Sequence, residues 1–178
     1  MSYRPSRILV AGSFPDALNV NVALRGYLVD GFRKILPDST VLGAPYEGAT
    51  AAALALKPDL TVIFGSAYSD TTDYNILASE VRKSGGKLVF WMHDDPYEFE
   101  GNFRVLHLLD AVFTNDAASI DFFPTDVPVF HLPMGGSYEA HHRAVVRRYG
   151  PELFFCGHIF SNRLKLFNTL AERAPKLQ

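Results

Sequence analysis

A histidine and two carboxylates, His93, Asp94 and Asp95, follow directly after an apolar run at residues 87–92. In parallel α/β sheets, ligands bind in the crevice beyond the carboxyl ends of the strands, so polar groups at such a position are candidates for chemistry. A histidine exchanges a proton near neutral pH, which suits a general base or a group that orients charge. We therefore expect His93, Asp94 and Asp95 to be the catalytic residues of the chain.

The two carboxylates are neighbours in the sequence, and neighbouring side chains in an extended loop point in different directions. Asp94 and Asp95 are therefore not expected to share a proton as a pair, but one of them could orient His93 or bind a ligand hydroxyl. Two structural alternatives stay open. Either carboxylate could cap a short helix after Pro96, and His93 could be a hydrogen-bonded histidine at a sheet edge.

Polar residues also follow two other predicted strands. Asn115 and Asp116 follow the fifth strand, at the same sheet edge as His93 if the strands are parallel. They are candidate ligand-binding residues or, alternatively, N-caps of the next helix. Gly12 and Ser13 follow the first strand, where their backbone N–H groups could approach a ligand or simply form a tight turn.

The remaining glycines and histidines indicate which ligands and cofactors the chain could bind. Gly135 and Gly136 follow the sixth strand and permit close approach to a ligand or act as a hinge. The first turn, residues 11–16, has one glycine, whereas dinucleotide sites need Gly-x-Gly-x-x-Gly and P-loops need Gly-Lys-Ser/Thr. Nicotinamide, flavin and P-loop nucleotide chemistry are thus disfavoured. His141 and His142 diverge by about 100° on a helix, so we expect solvated surface there and no metal site.

The elements that position these residues follow from the apolar pattern. Short apolar runs alternate with longer segments of helical spacing, which is typical of βαβ units, and most of the runs are continuous, as strands buried on both faces are. We predict an α/β fold, a Rossmann-like three-layer sandwich with a mostly parallel sheet. Strands are predicted at residues 8–11, 40–42, 60–64, 88–92, 111–114, 129–132 and 153–156, and helices at residues 19–36, 48–56, 73–84, 103–108, 117–122 and 162–173.

Composition and charge exclude several classes of partner. With 17 basic and 19 acidic residues and a net charge of -2, the chain has no electrostatic footprint for nucleic acid or an anionic membrane. The polar N-terminus leads into only a short apolar run, so we expect neither a signal peptide nor a membrane span. The single cysteine, Cys156, excludes an internal disulfide and fits a reducing compartment. A cytoplasmic location is expected.

Several stretches of the chain carry a family resemblance. Residues 108–119 and the Val-Pro-Val-x-x-x-Pro-x-Gly run at 127–135 resemble the course that ends the N-terminal domain of GT-B glycosyltransferases. Residues 153–163 are similar to the strand, glycine turn and Asn-Arg helix start that open the C-terminal domain of those enzymes. The chain resembles the spore-maturation-type subgroup in particular, whose fourth strand ends in a similar Phe-Trp-x-x-Asp-Asp/Glu-Pro run, here within residues 90–99. Together the matches extend over residues 8–170.

The resemblance implies an enzyme that transfers a sugar from a nucleotide-sugar donor to an acceptor and needs no other cofactor. Residues 1–150 would form the Rossmann-like acceptor-side domain, and residues 151–178 would be the first strand and helix of the donor domain. There, Gly157 would lie near the donor diphosphate and Arg163 would supply positive charge. The later donor-binding part would follow Gln178, so the chain is expected to be inactive unless a second domain or subunit supplies that part.

Two other classes of function stay open. A non-catalytic α/β binding or interaction module would use residues 94–99 to contact a partner, and a GT-B-type sugar-nucleotide epimerase is the enzymatic alternative. A receiver-like module fits poorly, because it needs an acidic cluster after the first strand, where this chain has Gly12 and Ser13. The expected partners are a sugar acceptor and a nucleotide-sugar, with no nucleic acid and no membrane span.

Overall fold

The computed structural model describes residues 3–18, 22–68, 70–124, 126–142 and 160–173. The chain divides into two compact units, Met1–His141 and His142–Gln178. The first unit carries the sheet and every predicted site residue up to Gly136. The predicted domain boundary at residue 150 therefore lies nine residues after the division between the units, among residues 143–159 that the structure does not describe.

Apolar runs form the six strands of the first unit. They are β1 (Arg7–Gly12), β2 (Thr40–Ala44), β3 (Leu60–Gly65), β4 (Lys87–Met92), β5 (Ala111–Thr114) and β6 (Val129–His131). All neighbouring strands pair in parallel, in the order β2-β1-β3-β4-β5-β6. β1 and β3 are buried along nearly their whole length, as expected of strands that are covered on both faces.

Helices cover the two faces of this sheet. The α-helices of the first unit are α1 (Val22–Ile35), α2 (Ala49–Leu56), α3 (Thr72–Lys83), α4 (Phe99–Phe103) and α5 (Tyr138–His141). α1 packs Val29 against Ile8 and Val10 of β1. α2 and α3 lie on the opposite face, where Leu9 and Phe90 join the larger core cluster. The structure is thus a three-layer α/β sandwich with an all-parallel sheet, which confirms the predicted fold class.

The strand order places a topological switch between β1 and β3. The chain leaves β1 toward β2 on one side and returns to β3 on the other side, so the two following connections diverge. In open parallel sheets the crevice at the carboxyl ends of such strands is the usual ligand site. Here that crevice is flanked by Ser13 after β1 and by Ser66 after β3.

The predicted strands and helices were mostly correct. All six predicted strands within the described residues are present, and the seventh, at residues 153–156, lies outside them. The helix predicted at residues 103–108 is wrong, since α4 ends at Phe103 and a separate 3-10 helix covers Leu106–Leu108. The tighter turn there directs Val105, Leu106 and Leu108 into the core. The predicted helix at residues 117–122 forms, but as a 3-10 helix.

The second unit is described at His142 and at residues 160–173. There the predicted last helix is present as α6 (Ser161–Arg173). Across the described parts of both units, every helix is too short or too polar to cross a lipid bilayer.

Candidate functional site

His93 and Asp94 form a hydrogen-bonded pair beyond the end of β4. His93 Nδ1 lies 2.9 Å from Asp94 Oδ2, and the same carboxylate oxygen accepts a 3.2 Å hydrogen bond from the Ser66 hydroxyl. The His93 side chain is only 8% exposed, whereas Asp94 is 50% exposed. An ionised carboxylate can only accept, so Nδ1 carries a proton, and in the neutral imidazole Nε2 carries the lone pair. The pair therefore has the arrangement of an oriented general base.

Nε2 of His93 lies close to Gly65, the glycine that ends β3 at the topological switch. Gly65 ends β3 with a φ of +132°, a conformation that side-chain-bearing residues rarely adopt. A Cβ at this position would stand 3.5 Å from His93 Nε2 and would overlap Ser13 Oγ. The fully buried Ser13 hydroxyl makes no hydrogen bond within the described residues. The absent side chain of Gly65 thus lets Ser13 and His93 converge on one point of the crevice.

Asn115 and Asp116, the two predicted residues after β5, have separate roles. Asn115 Nδ2 donates a 2.6 Å hydrogen bond to the backbone carbonyl of His93 and so fixes the loop that carries His93. Asp116 caps the following 3-10 helix, because its carboxylate accepts from Ala118 N at 3.3 Å and from Ser119 Oγ at 2.6 Å. Asn115 thus supports the site, and both oxygens of Asp116 are engaged in the cap.

Asp95 points away from the pair, into the interior between the sheet and α4. It is 5% exposed, and its Oδ1 accepts a 2.9 Å hydrogen bond from Asn102 Nδ2. Asn102 in turn accepts from the backbone N–H of Ala67 at 2.8 Å, so it joins the loops after β3 and β4. Oδ2 of Asp95 has no hydrogen-bond partner within the described residues. The two adjacent carboxylates diverge as predicted, and neither of them caps α4, whose N-cap is Glu98.

The two carboxylates have pKa shifts of opposite sign. The hydrogen bond from His93 lowers the pKa of Asp94 below 3.8, whereas burial raises the pKa of Asp95 above that value, against the hydrogen bond from Asn102. The stability that Asp94 contributes is therefore present above pH 3.8 and is lost as the pH falls through its lowered pKa. The contribution of protonated Asp95 is present below pH 3.8 and is lost as the pH rises through its raised pKa. At neutral pH, Asp94 is a charged partner for His93.

Three supporting residues were not predicted from the sequence. Ser66 donates to Asp94, Asn102 bridges Asp95 to Ala67, and the Tyr74 hydroxyl donates to the Ser13 carbonyl. Tyr74 also accepts a 2.8 Å hydrogen bond from the backbone N–H of Tyr68, so it links the loops after β1 and β3. A serine directly after a predicted strand was the one signal in the sequence that could have indicated Ser66. The roles of Asn102 and Tyr74 depend on tertiary contacts.

The remaining predicted residues lie elsewhere. Gly12 is covered by Arg25 and by the Tyr46 backbone, both of which a Cβ would meet within 3.0 Å. Gly135 and Gly136 line a cavity beside α1, in whose lining His93 does not take part. Arg163 belongs to α6 of the second unit, where its guanidinium lies 5.1 Å from the Phe160 ring centre. Gly157 lies outside the described residues.

The structure also bears on metal binding and on the two adjacent histidines, His141 and His142. Within the described ranges, no three His, Cys, Asp or Glu side chains are grouped as a metal ion would require. His141 and His142 are exposed, as predicted. The His141 ring packs edge-on against Tyr27 of α1 at 5.3 Å and its Nδ1 accepts from the backbone N–H of Ser137 at 2.9 Å.

The fold and the strand-end crevice define this protein as a Rossmann-like α/β protein with an oriented histidine at the edge of its parallel sheet. No protein-family model matches the sequence, and no curated protein matches it.

Proposed function

We propose that the chain is the acceptor-side half of a GT-B-type glycosyltransferase and that His93 is its general base. The observation that carries this proposal is the hydrogen-bonded His93–Asp94 pair beyond the end of β4, with Nε2 directed toward Gly65 and Ser13 at the topological switch. A transferase of this kind must remove a proton from an acceptor hydroxyl as its oxygen attacks the sugar. A histidine whose other nitrogen is held by a carboxylate is well suited to that step.

The acceptor oxygen forms a bond to the anomeric carbon, while the bond from that carbon to the donor diphosphate breaks and its electron pair leaves with the diphosphate. The acceptor proton passes to Nε2 of His93. Asp94 stays ionised because its pKa is lowered, so it stabilises the imidazolium that forms and keeps Nδ1 protonated. Ser66 holds the Asp94 carboxylate in position through its 3.2 Å hydrogen bond.

The proposed donor domain is supported by the family resemblance alone. In it, residues from 151 onward begin the donor domain, with Gly157 near the diphosphate and Arg163 supplying positive charge. A second domain or subunit would complete that site, so the proposed activity of this chain is first of all binding of a hydroxyl-bearing acceptor beside His93.

Acceptor binding can be tested by the melting temperature of the full chain with a panel of compounds. The panel contains a methyl glucoside, phenols, and the uridine, guanosine, thymidine and adenosine diphosphate-sugars. Compounds that bind the folded state raise the melting temperature. We expect at least one hydroxyl compound to do so, and we expect His93→Gln to weaken its affinity by at least about tenfold.

His107→Gln is the matched control, because His107 is an exposed histidine in the same unit, away from the crevice. It should bind the same compound as tightly as the wild-type protein does. Binding that is equal in the wild-type, His93→Gln and His107→Gln proteins would contradict the role of His93 and favour a non-catalytic binding module. A nucleotide-sugar that raises the melting temperature by itself would contradict an acceptor-side assignment.

A further inference from the structure

A cavity of about 360 Å³ lies beside the crevice, between α1 and the segment at residues 134–139. Its volume is within the range of small-molecule sites in proteins. One wall is the face of α1 whose apolar residues recur at three- and four-residue spacing. The cavity is lined by Leu24, Tyr27, Leu28, Gly31, Phe64, Trp91 and the 134–139 segment.

The floor of the cavity is aromatic. Phe64 of β3 and Trp91 of β4 are paired across the two strands, and their rings are in edge-to-face contact at 5.3 Å. Trp91 Nε1 is already engaged, donating a 2.9 Å hydrogen bond to the Leu132 carbonyl. Such a floor offers ring faces and edges but no free indole N–H, so it suits the ring of an aromatic ligand.

Charged groups are confined to the part of the cavity contributed by α1 and α5. Lys34 of α1 forms an ion pair with Glu139 of α5, and Asp30 lies beside them. The Tyr27–His141 ring contact is a second link between these two helices. A sugar ring placed over Phe64 and Trp91 would leave most of its hydroxyls without partners, which is costly in an apolar site.

The aromatic floor is continuous with the histidine site. The Phe64 ring touches Trp91 on one side and His93 on the other, where the two ring centres are 5.2 Å apart. His93 does not itself line the cavity, and its imidazole is the ring next to Phe64 along this floor. Gly135 and Gly136, expected from the sequence to approach a ligand, line the same cavity.

We propose that this cavity holds the aromatic ring of the acceptor, so that the substrate class is an aryl alcohol whose hydroxyl lies at His93. The identification as an acceptor rests on the proposed function, whereas the ring-binding site rests on the cavity itself. The ring is held by Phe64 and Trp91, and the hydroxyl donates to Nε2 of His93.

The chain offers a direct reporter and a matched pair of variants. Trp91 is the single tryptophan of the sequence, so tryptophan fluorescence reports on the cavity floor alone. Gly31 lines the cavity and Gly26 does not, although both are glycines of α1 and a Cβ on either would meet no atom within 4 Å. Gly31→Leu should therefore fill the cavity, and Gly26→Leu makes the same change of helix propensity outside it.

The probes are 4-nitrophenol and nitrobenzene, which lacks the hydroxyl, with binding measured by Trp91 fluorescence quenching and independently by equilibrium dialysis on the full chain. We expect saturable binding of 4-nitrophenol to the wild-type and Gly26→Leu proteins, and binding at least about tenfold weaker to Gly31→Leu. Nitrobenzene should bind more weakly than 4-nitrophenol to the wild-type protein, and His93→Gln should remove that difference.

The outcomes separate this inference from the proposed function. Absence of 4-nitrophenol binding, or equal binding to Gly31→Leu and Gly26→Leu, would overturn the ring site. If a methyl glucoside nevertheless bound in a manner that depends on His93, the proposed function would stand without it. If 4-nitrophenol filled the cavity but the hydroxyl preference survived His93→Gln, the ring site would stand and the role of His93 as hydroxyl acceptor would fall.

Discussion

Replacing Gly65 with alanine is expected to destabilise the protein by about 3–5 kcal/mol, the sum of backbone strain and overpacking. Gly65 has a φ of +132°, and its added Cβ would overlap Ser13 Oγ and lie 3.3 Å from Ser13 Cβ. The same Cβ would approach His93 Nε2 at 3.5 Å. The substitution therefore strains the backbone and also pushes on Ser13, next to His93 Nε2.

Gly85→Ala separates these two causes. Gly85 also has a positive φ, +74°, but a Cβ there would meet no atom within 4 Å. We expect it to cost only about 1–2 kcal/mol, the strain term alone. Urea unfolding of the two variants gives the comparison, and Ser13→Gly in the Gly65→Ala background should recover the part due to overlap. Equal costs for Gly65→Ala and Gly85→Ala would show that the crevice is not closed by a side chain at Gly65.

Replacing Asn102 with leucine is expected to cost about 3–5 kcal/mol of stability at neutral pH. Asn102 is fully buried, donates to Asp95 Oδ1 and accepts from Ala67 N. Leucine would leave a buried carboxylate without its hydrogen-bond donor and a buried backbone N–H without its acceptor. Since Asn102 joins the loops after β3 and β4, the substitution should also loosen the segment that carries the His93–Asp94 pair.

The cost of Asn102→Leu should depend on pH, because a neutral carboxyl group is less expensive to leave unpaired. Burial raises the pKa of Asp95, so acidification protonates Asp95 before it protonates an ordinary aspartate. The difference in unfolding free energy between wild type and Asn102→Leu should therefore shrink as the pH falls. Asn75→Leu is the matched control. Asn75 is exposed and bonds only the Thr71 carbonyl, at 2.8 Å, so its replacement should change the free energy of unfolding by less than about 0.5 kcal/mol. If the loss of stability in Asn102→Leu did not change with pH, it would not come from leaving the Asp95 carboxylate without its hydrogen-bond donor.

The sequence predicted the strands well, and it also indicated the strand end at which His93 and Asp94 lie. Continuous apolar runs identify strands buried on both faces, and His93 and Asp94 were evident because charged groups stop one of those runs abruptly. The divergence of Asp94 and Asp95 followed from their adjacency. These features depend on local pattern, which a single sequence carries directly.

The partners of the base depend on the order of the strands in the sheet, which local pattern does not determine. Ser66 and Gly65 reach the site because β3 lies between β1 and β4. Asn102 was not foreseen because α4 begins four residues before the predicted helix start at residue 103. Gly135 was expected to approach a ligand or to act as a hinge, and its segment lines the aromatic cavity beside α1.

The central claim is that Nε2 of His93 is free to accept a proton from a hydroxyl. It is tested most directly by nitrogen NMR of the imidazole in the full chain, with His93 assigned through His93→Gln. We predict a proton on Nδ1, held by Asp94, and an unprotonated Nε2 whose signal moves when 4-nitrophenol is added but not when nitrobenzene is added. Asp94→Asn should weaken the preference for this tautomer. A proton found on Nε2 in the free protein, or an Nε2 signal that no hydroxyl compound moves, would contradict the proposed role of His93.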